Sequence, residues 1–114
     1  MQENVSSTRL EEKRMDKRFQ CEALINWSYF NEDRSFDARI FNFSRNGVYI
    51  ETRDRIRPNT TILIRLEALI TDGMMLSGKE SLRIVSLGDV KWCSELSKEH
   101  SIYYGSGVRY CRLK

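Results

Sequence analysis

The sequence predicts an all-β fold, a sandwich or, more economically, a small closed barrel. Three observations predict it. Apolar and polar residues alternate over short runs, the period of two that belongs to half-buried strands. Turn residues punctuate these runs at residues 31–35, 46–47, 57–59, 71–73 and 88–89. No stretch carries the apolar stripe of a long helix. Closure favours the barrel, because it removes the unpaired edges that an open sheet exposes.

Taken in order, the first twelve residues, MQENVSSTRLEE, are polar without an apolar face and predict a flexible N-terminal tail. Residues 13–114 are then the folded domain, and the charged run EKRMDKR (12–18) leads into it. Phe19, Cys21, Ala23, Ile25 and Trp27 alternate with Gln20, Glu22, Asn26 and Ser28, interrupted only by Leu24. NEDRS (31–35) is a turn, and residues 36–43 are the second strand. Asn46-Gly47 reads as a tight corner at positive φ, which Gly adopts freely and Asn tolerates, with a third strand at 48–52. After Arg57-Pro58-Asn59 comes TTILIRLEAL (60–69); its residues suit a helix as well, but the Thr-Thr-Ile start favours a strand. Thr71-Asp72-Gly73 makes a hairpin, and residues 82–87 and 90–93 follow with a bulge or bend at Gly88-Asp89. SELSKEH (94–100) reads as a loop before a last strand, 102–113, that carries Gly105 and Gly107.

Composition narrows the function classes. At 114 residues, 40% hydrophobic and 31% charged, the chain has the size and balance of one soluble globular domain. No apolar run approaches the ~20 residues of a membrane span and no N-terminal signal sequence is visible, so a cytoplasmic protein is expected. The net charge of +3, from 19 basic and 16 acidic residues, is too mild to announce a nucleic-acid binder. Cys21, Cys93 and Cys111 are odd in number and widely spaced, and His100 stands alone, which disfavours a zinc site and favours reduced thiols. Pairing of the last two strands would let Cys93 and Cys111 face each other.

Catalytic machinery is missing from the sequence. One histidine in an expected loop supports no Ser-His-Asp arrangement, and Glu11-Glu12 and Glu95/Glu99 sit in polar segments where carboxylates are solvated. Nothing resembles a P-loop, and the Gly-x-Gly at 105–107 lies within a strand rather than at the start of a helix.

Two features ask for more than a structural reason. Lys13-Arg14-Met15-Asp16-Lys17-Arg18 puts four cations into six residues directly before the first strand. Such a run is commonly a solvated face. It can also grip an anion, because Arg14 and Arg18 are close enough to embrace one ligand with two planar forks. The second feature is Asn42-Phe43-Ser44-Arg45-Asn46-Gly47, more polar than a corner requires. Ser44 and Asn46 suffice to satisfy local backbone groups. The same corner also offers an amide, a hydroxyl and open backbone to a ligand.

Together and in this order, Arg14-x-x-x-Arg18 and Asn42-x-Ser44-x-x-Gly47 resemble the two signature motifs of the PilZ domain. GVYIET (47–52), GDVKW (88–92) and YGSGVRY (104–110) are similar to the strand pattern of that family, and the likeness covers about residues 12–112. The resemblance implies a six-stranded antiparallel barrel and a bacterial, non-catalytic receptor for the second messenger cyclic di-GMP. It implies that Arg14 and Arg18 contact guanine edges and phosphates, that Asn42 and Ser44 meet guanine and phosphate from the barrel surface, and that Gly47 holds the turn. Lys13, Lys17, Arg45 and Trp92 are candidates for additional contacts, and Trp92, Tyr104 and Tyr110 are candidate stacking platforms that core or rim packing explains as well. Family members often end in a helix, whereas this sequence stops at Lys114 with little or no room for one. The expected cofactors are none beyond the ligand itself, and a downstream protein partner is expected. Two alternatives stay open: a PilZ-like adapter that contacts only proteins, and a small basic barrel that binds single-stranded nucleic acid.

Overall fold

The structure, a computed structural model, describes residues 17–70 and 82–111. Six strands form: β1 (Phe19–Tyr29), β2 (Phe36–Phe43), β3 (Gly47–Thr52), β4 (Thr61–Leu69), β5 (Val85–Lys98) and β6 (Ser101–Tyr110), with no helix among the described residues. Every pairing is antiparallel. The order β1-β2-β3-β6-β5-β4 returns to β1, so the hydrogen-bonded ring is closed and the expected all-β barrel is observed. The expected tail, the 71–73 hairpin and residues 112–114 lie outside the described residues. No helix among the described residues is long and apolar enough to cross a membrane.

The alternation read in the sequence fills the barrel. Cys21, Ala23, Ile25 and Trp27 of β1 point inward with Ile40, Phe43, Val48, Ile50, Ile62, Ile64, Val90 and Val108 from the other strands. Each large apolar side chain so buried stabilises the fold by roughly 1.5–3 kcal/mol. Trp27 stacks on Phe36 with ring centroids 4.6 Å apart and meets the edge of Tyr29 at 5.1 Å.

One connection crosses the barrel. β3 and β4 are not neighbours in the ring, so residues 53–60 run across an end of it. Ile56, fully buried, plugs that end. The crossover is tied to β5: the Asn59 N–H donates to the Val90 carbonyl (2.7 Å) and the Val90 N–H to the Thr60 carbonyl (2.9 Å). Asn59 adopts φ 65° there, and Asn31 adopts φ 75° in the β1–β2 turn, as the turn chemistry of Asn allows.

The second half of the chain departs from expectation. Residues 85–98 form one continuous strand with no break at Gly88-Asp89. Gly88 is instead a place of close packing, where a Cβ would lie 2.4 Å from Val108 Cγ1. The irregularity falls later: Val90 pairs with Val108 and Trp92 with Gly107, leaving Lys91 as the extra residue of a bulge. The expected loop at 94–100 is strand up to Lys98, which pairs with Ser101 around a two-residue turn. β6 accordingly begins at Ser101 and ends at Tyr110. Cys93 lies opposite Ser106, so it does not face Cys111, and all three thiols are free.

That turn yields a prediction. Glu99 and His100 hold φ of 44° and 68°, the type I′ pattern that ordinary side chains resist and Asn-Gly favours. Glu99→Asn with His100→Gly should raise stability by about 1 kcal/mol in urea denaturation. An unchanged midpoint would show that the turn carries no backbone strain.

Candidate functional site

The overbuilt corner is a turn in which the side chains replace a glycine's freedom. The Ser44 N–H donates to the Gly47 carbonyl (2.8 Å), and the Ser44 hydroxyl accepts the Asn46 N–H (3.1 Å). Neither Asn46 nor Gly47 adopts positive φ, so the expected reason for Gly47 is corrected. Gly47 opens β3 opposite Arg109, and a Cβ on it would lie 2.1 Å from the Val108 carbonyl oxygen. Close approach of β3 to β6, not the turn, requires this glycine.

Around the corner lies a shallow recess of about 190 Å³ lined by Arg18, Ser44, Asn46, Gly47, Val48, Lys91, Trp92, Gly107, Val108 and Arg109. At its mouth Arg18 Nη1 donates to Asn42 Oδ1 (3.0 Å), which fixes the guanidinium beside the β1–β2 pair. Ser44 is buried while Arg18, Lys91 and Arg109 are exposed. None of these three cations forms an ion pair among the described residues. The recess is a cationic ledge.

Its apolar wall is built on missing side chains. Trp92, 45% exposed, lies across Gly107, where a Cβ would come within 2.2 Å of the indole Nε1. Tyr49 lies across Gly105 in the same way, with its hydroxyl 2.4 Å from where a Cβ would be. The two rings stack at 5.8 Å with 29° between their planes. The Tyr49 hydroxyl donates to Glu51 Oε2 (2.8 Å). Burial, then that hydrogen bond and the Glu51 charge, push the phenol up to about 12.

The ledge therefore gathers Arg18, Asn42, Ser44, Gly47 and Trp92. Lys17 and Arg45 are exposed and do not line the recess, and Lys13 and Arg14 lie outside the described residues. Of the other candidate platforms, Tyr110 belongs to the core and Tyr104 sits under Arg55, 5.1 Å from ring centroid to guanidinium. Lys91 and Arg109 were not singled out in the sequence, because only the β5–β6 bulge and the β3–β6 register bring them beside the corner. No cluster of metal-binding side chains occurs among the described residues.

A larger groove of about 1270 Å³ is lined by β1, β2, β3 and the start of the crossover, with Glu67 of β4, Glu99 of the β5–β6 turn and Ser101 and Tyr103 of β6. Its rim carries Asp37, Glu51, Asp54, Glu67 and Glu99 against Arg34, Arg39 and Arg53, an excess of carboxylates. Formal charge is therefore negative around this groove and positive around the ledge.

The sequence matches no family model, and no curated protein matches it. Among solved structures the fold is similar to that of MrkH from K. pneumonia in complex with c-di-GMP, with a TM-score of 0.58 and 12% identity. That match covers 85% of this chain and 43% of the other. It is also similar to PlzA from Borreliella burgdorferi in complex with c-di-GMP, with a TM-score of 0.58, 10% identity, and 95% and 50% of the two chains covered. This chain thus spans half or less of either protein's length, and at such identities the likeness concerns the fold.

Two outcomes test the ledge. Gly107→Ala should swing the indole outward and shift tryptophan emission to longer wavelength; in a Trp92→Phe background the shift should vanish. A shift that persists there would mean that Trp92 does not rest on Gly107. For Tyr49, the folded state holds the proton to about pH 12 while the unfolded phenol loses it near 10. The stability tied to the protonated phenol is complete below 10 and is lost as pH rises to 12. Urea denaturation across that window should fall less steeply in Tyr49→Phe.

Proposed function

We propose that this chain is a non-catalytic receptor of the PilZ type that binds cyclic di-GMP on the ledge and changes conformation to regulate a partner protein. The observation that carries the reading is Arg18, held by Asn42 at the mouth of a recess that also contains Ser44 and Gly47. These are four of the five residues of the two PilZ-like motifs, drawn from two segments of the chain. Two solved structures of similar fold contain c-di-GMP, which supports the reading.

The chemistry agrees. Cyclic di-GMP presents two phosphodiester charges and two guanines. Arg18, Lys91 and Arg109 supply charge without competing carboxylates, and a guanidinium fork suits both a phosphate and the O6/N7 edge of guanine. Asn42 gives its oxygen to Arg18 and keeps its NH₂ group for the ligand, and the Trp92 face suits a guanine. At about 190 Å³ the recess is smaller than the ~300–1,000 Å³ usual for small-molecule sites. Further enclosure would come from the segment that carries Lys13 and Arg14. The three free thiols suit a bacterial cytoplasm.

Calorimetric titration with cyclic di-GMP tests the proposal. The unmodified chain should bind. Arg18→Ala and Arg14→Ala should each lose several charge-assisted contacts, worth on the order of 1–3 kcal/mol apiece, and give no measurable heat while circular dichroism stays unchanged. Trp92→Ala should weaken binding about tenfold. Undiminished affinity in Arg18→Ala would sink the assignment.

A further inference from the structure

Trp92 is held from two sides, and only one of them belongs to the recess. Trp92 and Gly107 line the recess, whereas Tyr49 lies behind the indole, outside that lining. Tyr49 of β3, Gly107 of β6 and Trp92 of β5 are partners in one row across three strands. The next row contains Glu51, Gly105 and Ser94. The outer strands of such a row stand two strand spacings apart, about 9.6 Å, too far for upright rings to stack. The rings meet here because both lie down over β6, where the glycines leave the face bare.

The two rings divide the two glycines between them. The indole takes Gly107 in its own row, with Nε1 2.2 Å from where a Cβ would be. Tyr49 shares that row yet leans one row along, so that its hydroxyl comes to lie over Gly105. The lean has a cause. Glu51 is two residues ahead on the same face of β3 and accepts the Tyr49 hydroxyl at 2.8 Å. That hydrogen bond draws the phenol toward Gly105 and leaves Gly107 to the indole. Stacking at 5.8 Å then closes the side toward which the indole would otherwise slide.

The core does not ask for this arrangement. Val48, Ile50, Val90 and Val108 fill the barrel from the other face of the same strands, while Trp92 stays 45% exposed and Tyr49 half-buried. An exposed indole over a glycine turns about its side-chain bonds unless something blocks it. Each orientation that it gives up on binding costs affinity, and a ring already fixed in place avoids that cost. We propose that Tyr49, anchored by Glu51, is a positioning residue of the ledge, which acts on the ligand only by holding the Trp92 face toward the recess. The proposal rests on the reading of the ledge as the cyclic di-GMP site, and it adds a residue that neither motif contains.

Two measurements on the full chain test it, and the first needs no ligand. Trp27 is only 1% exposed, so acrylamide quenching of tryptophan emission reports the Trp92 indole. Tyr49→Ala should raise the quenching constant, and Tyr49→Phe, which keeps the ring without the hydroxyl, should fall between it and the unmodified chain. The second measurement is calorimetric titration with cyclic di-GMP. Tyr49→Ala should weaken binding about three- to tenfold, the worth of one aromatic pair, and Tyr49→Phe should recover part of the loss. In a Trp92→Ala background, Tyr49→Ala should change the affinity no further, because its effect passes through the indole. A purely structural role would instead lower the urea midpoint and weaken binding by the same factor in both backgrounds. The proposal is overturned by quenching or affinity that is unchanged in Tyr49→Ala, or by a full loss of affinity that persists without Trp92. Absence of binding by the unmodified chain would sink the assignment of the ledge instead, and the quenching comparison would still decide whether Tyr49 holds the indole.

Discussion

The ledge depends on what β6 leaves out. Gly105 and Gly107 put no side chain on the outer face of the strand, and Tyr49 and Trp92 from the flanking strands lie down in the space. Gly47 completes the arrangement from β3, since any Cβ there would strike the Val108 carbonyl. Backbone cannot yield as a flexible side-chain tip can, so these contacts are exacting. Glycine costs stability in a strand, by loss of packing and by unfolded-state entropy. Gly47 and Gly107 on the recess, with Gly105 under the Tyr49 ring that backs Trp92, are hard to explain as economy of folding. They make sense as the means of laying two aromatic rings flat beside three cations.

Charge placement follows the same geometry. A net charge of +3 spread evenly would attract little. Here Arg18, Lys91 and Arg109 arrive at the recess from three parts of the chain, whereas Asp37, Glu51, Asp54, Glu67 and Glu99 collect around the larger groove. The Lys91 bulge matters most. It resets the register so that Trp92 meets Gly107, and it leaves Lys91 on the lining of the same recess. Without that extra residue the ring and the glycine would be out of step.

Much of this was legible in the sequence, for a physical reason. Period-two alternation through Phe19 to Trp27 reports which face is buried, and burial is what holds the barrel together. Asn31 and Asn59 announced turns through their own tolerance of positive φ. Motif spacing placed Arg18, Asn42 and Ser44, because β1 and β2 pair as neighbours and bring Gln20 opposite Asn42. What escaped depended on contacts between distant segments. Gly88 looks like a break in one dimension and is a close approach in three. Glu99-His100 carries no turn signature at all, and the pairing of β5 with β6 holds it in a conformation its residues would not choose. Lys91 and Arg109 become site residues only through a register that local propensity does not encode.

The closed ring also holds the ledge rigid from below. Val90 is fully buried, bonded to the crossover through Asn59 and Thr60, and paired with Val108. Lys91 beside it is the bulge residue, the place where β5 can adjust without breaking its ladder. An adjustment of β5 at Trp92 would be taken up most easily at Lys91, ahead of the tightly bonded Val90. Coupling between distant sites requires an element with two arrangements, and a ring of six mutually paired strands offers none. On the proposed reading, a ligand on the ledge therefore meets the six paired strands as a fixed footing, and a conformational response to it arises outside them.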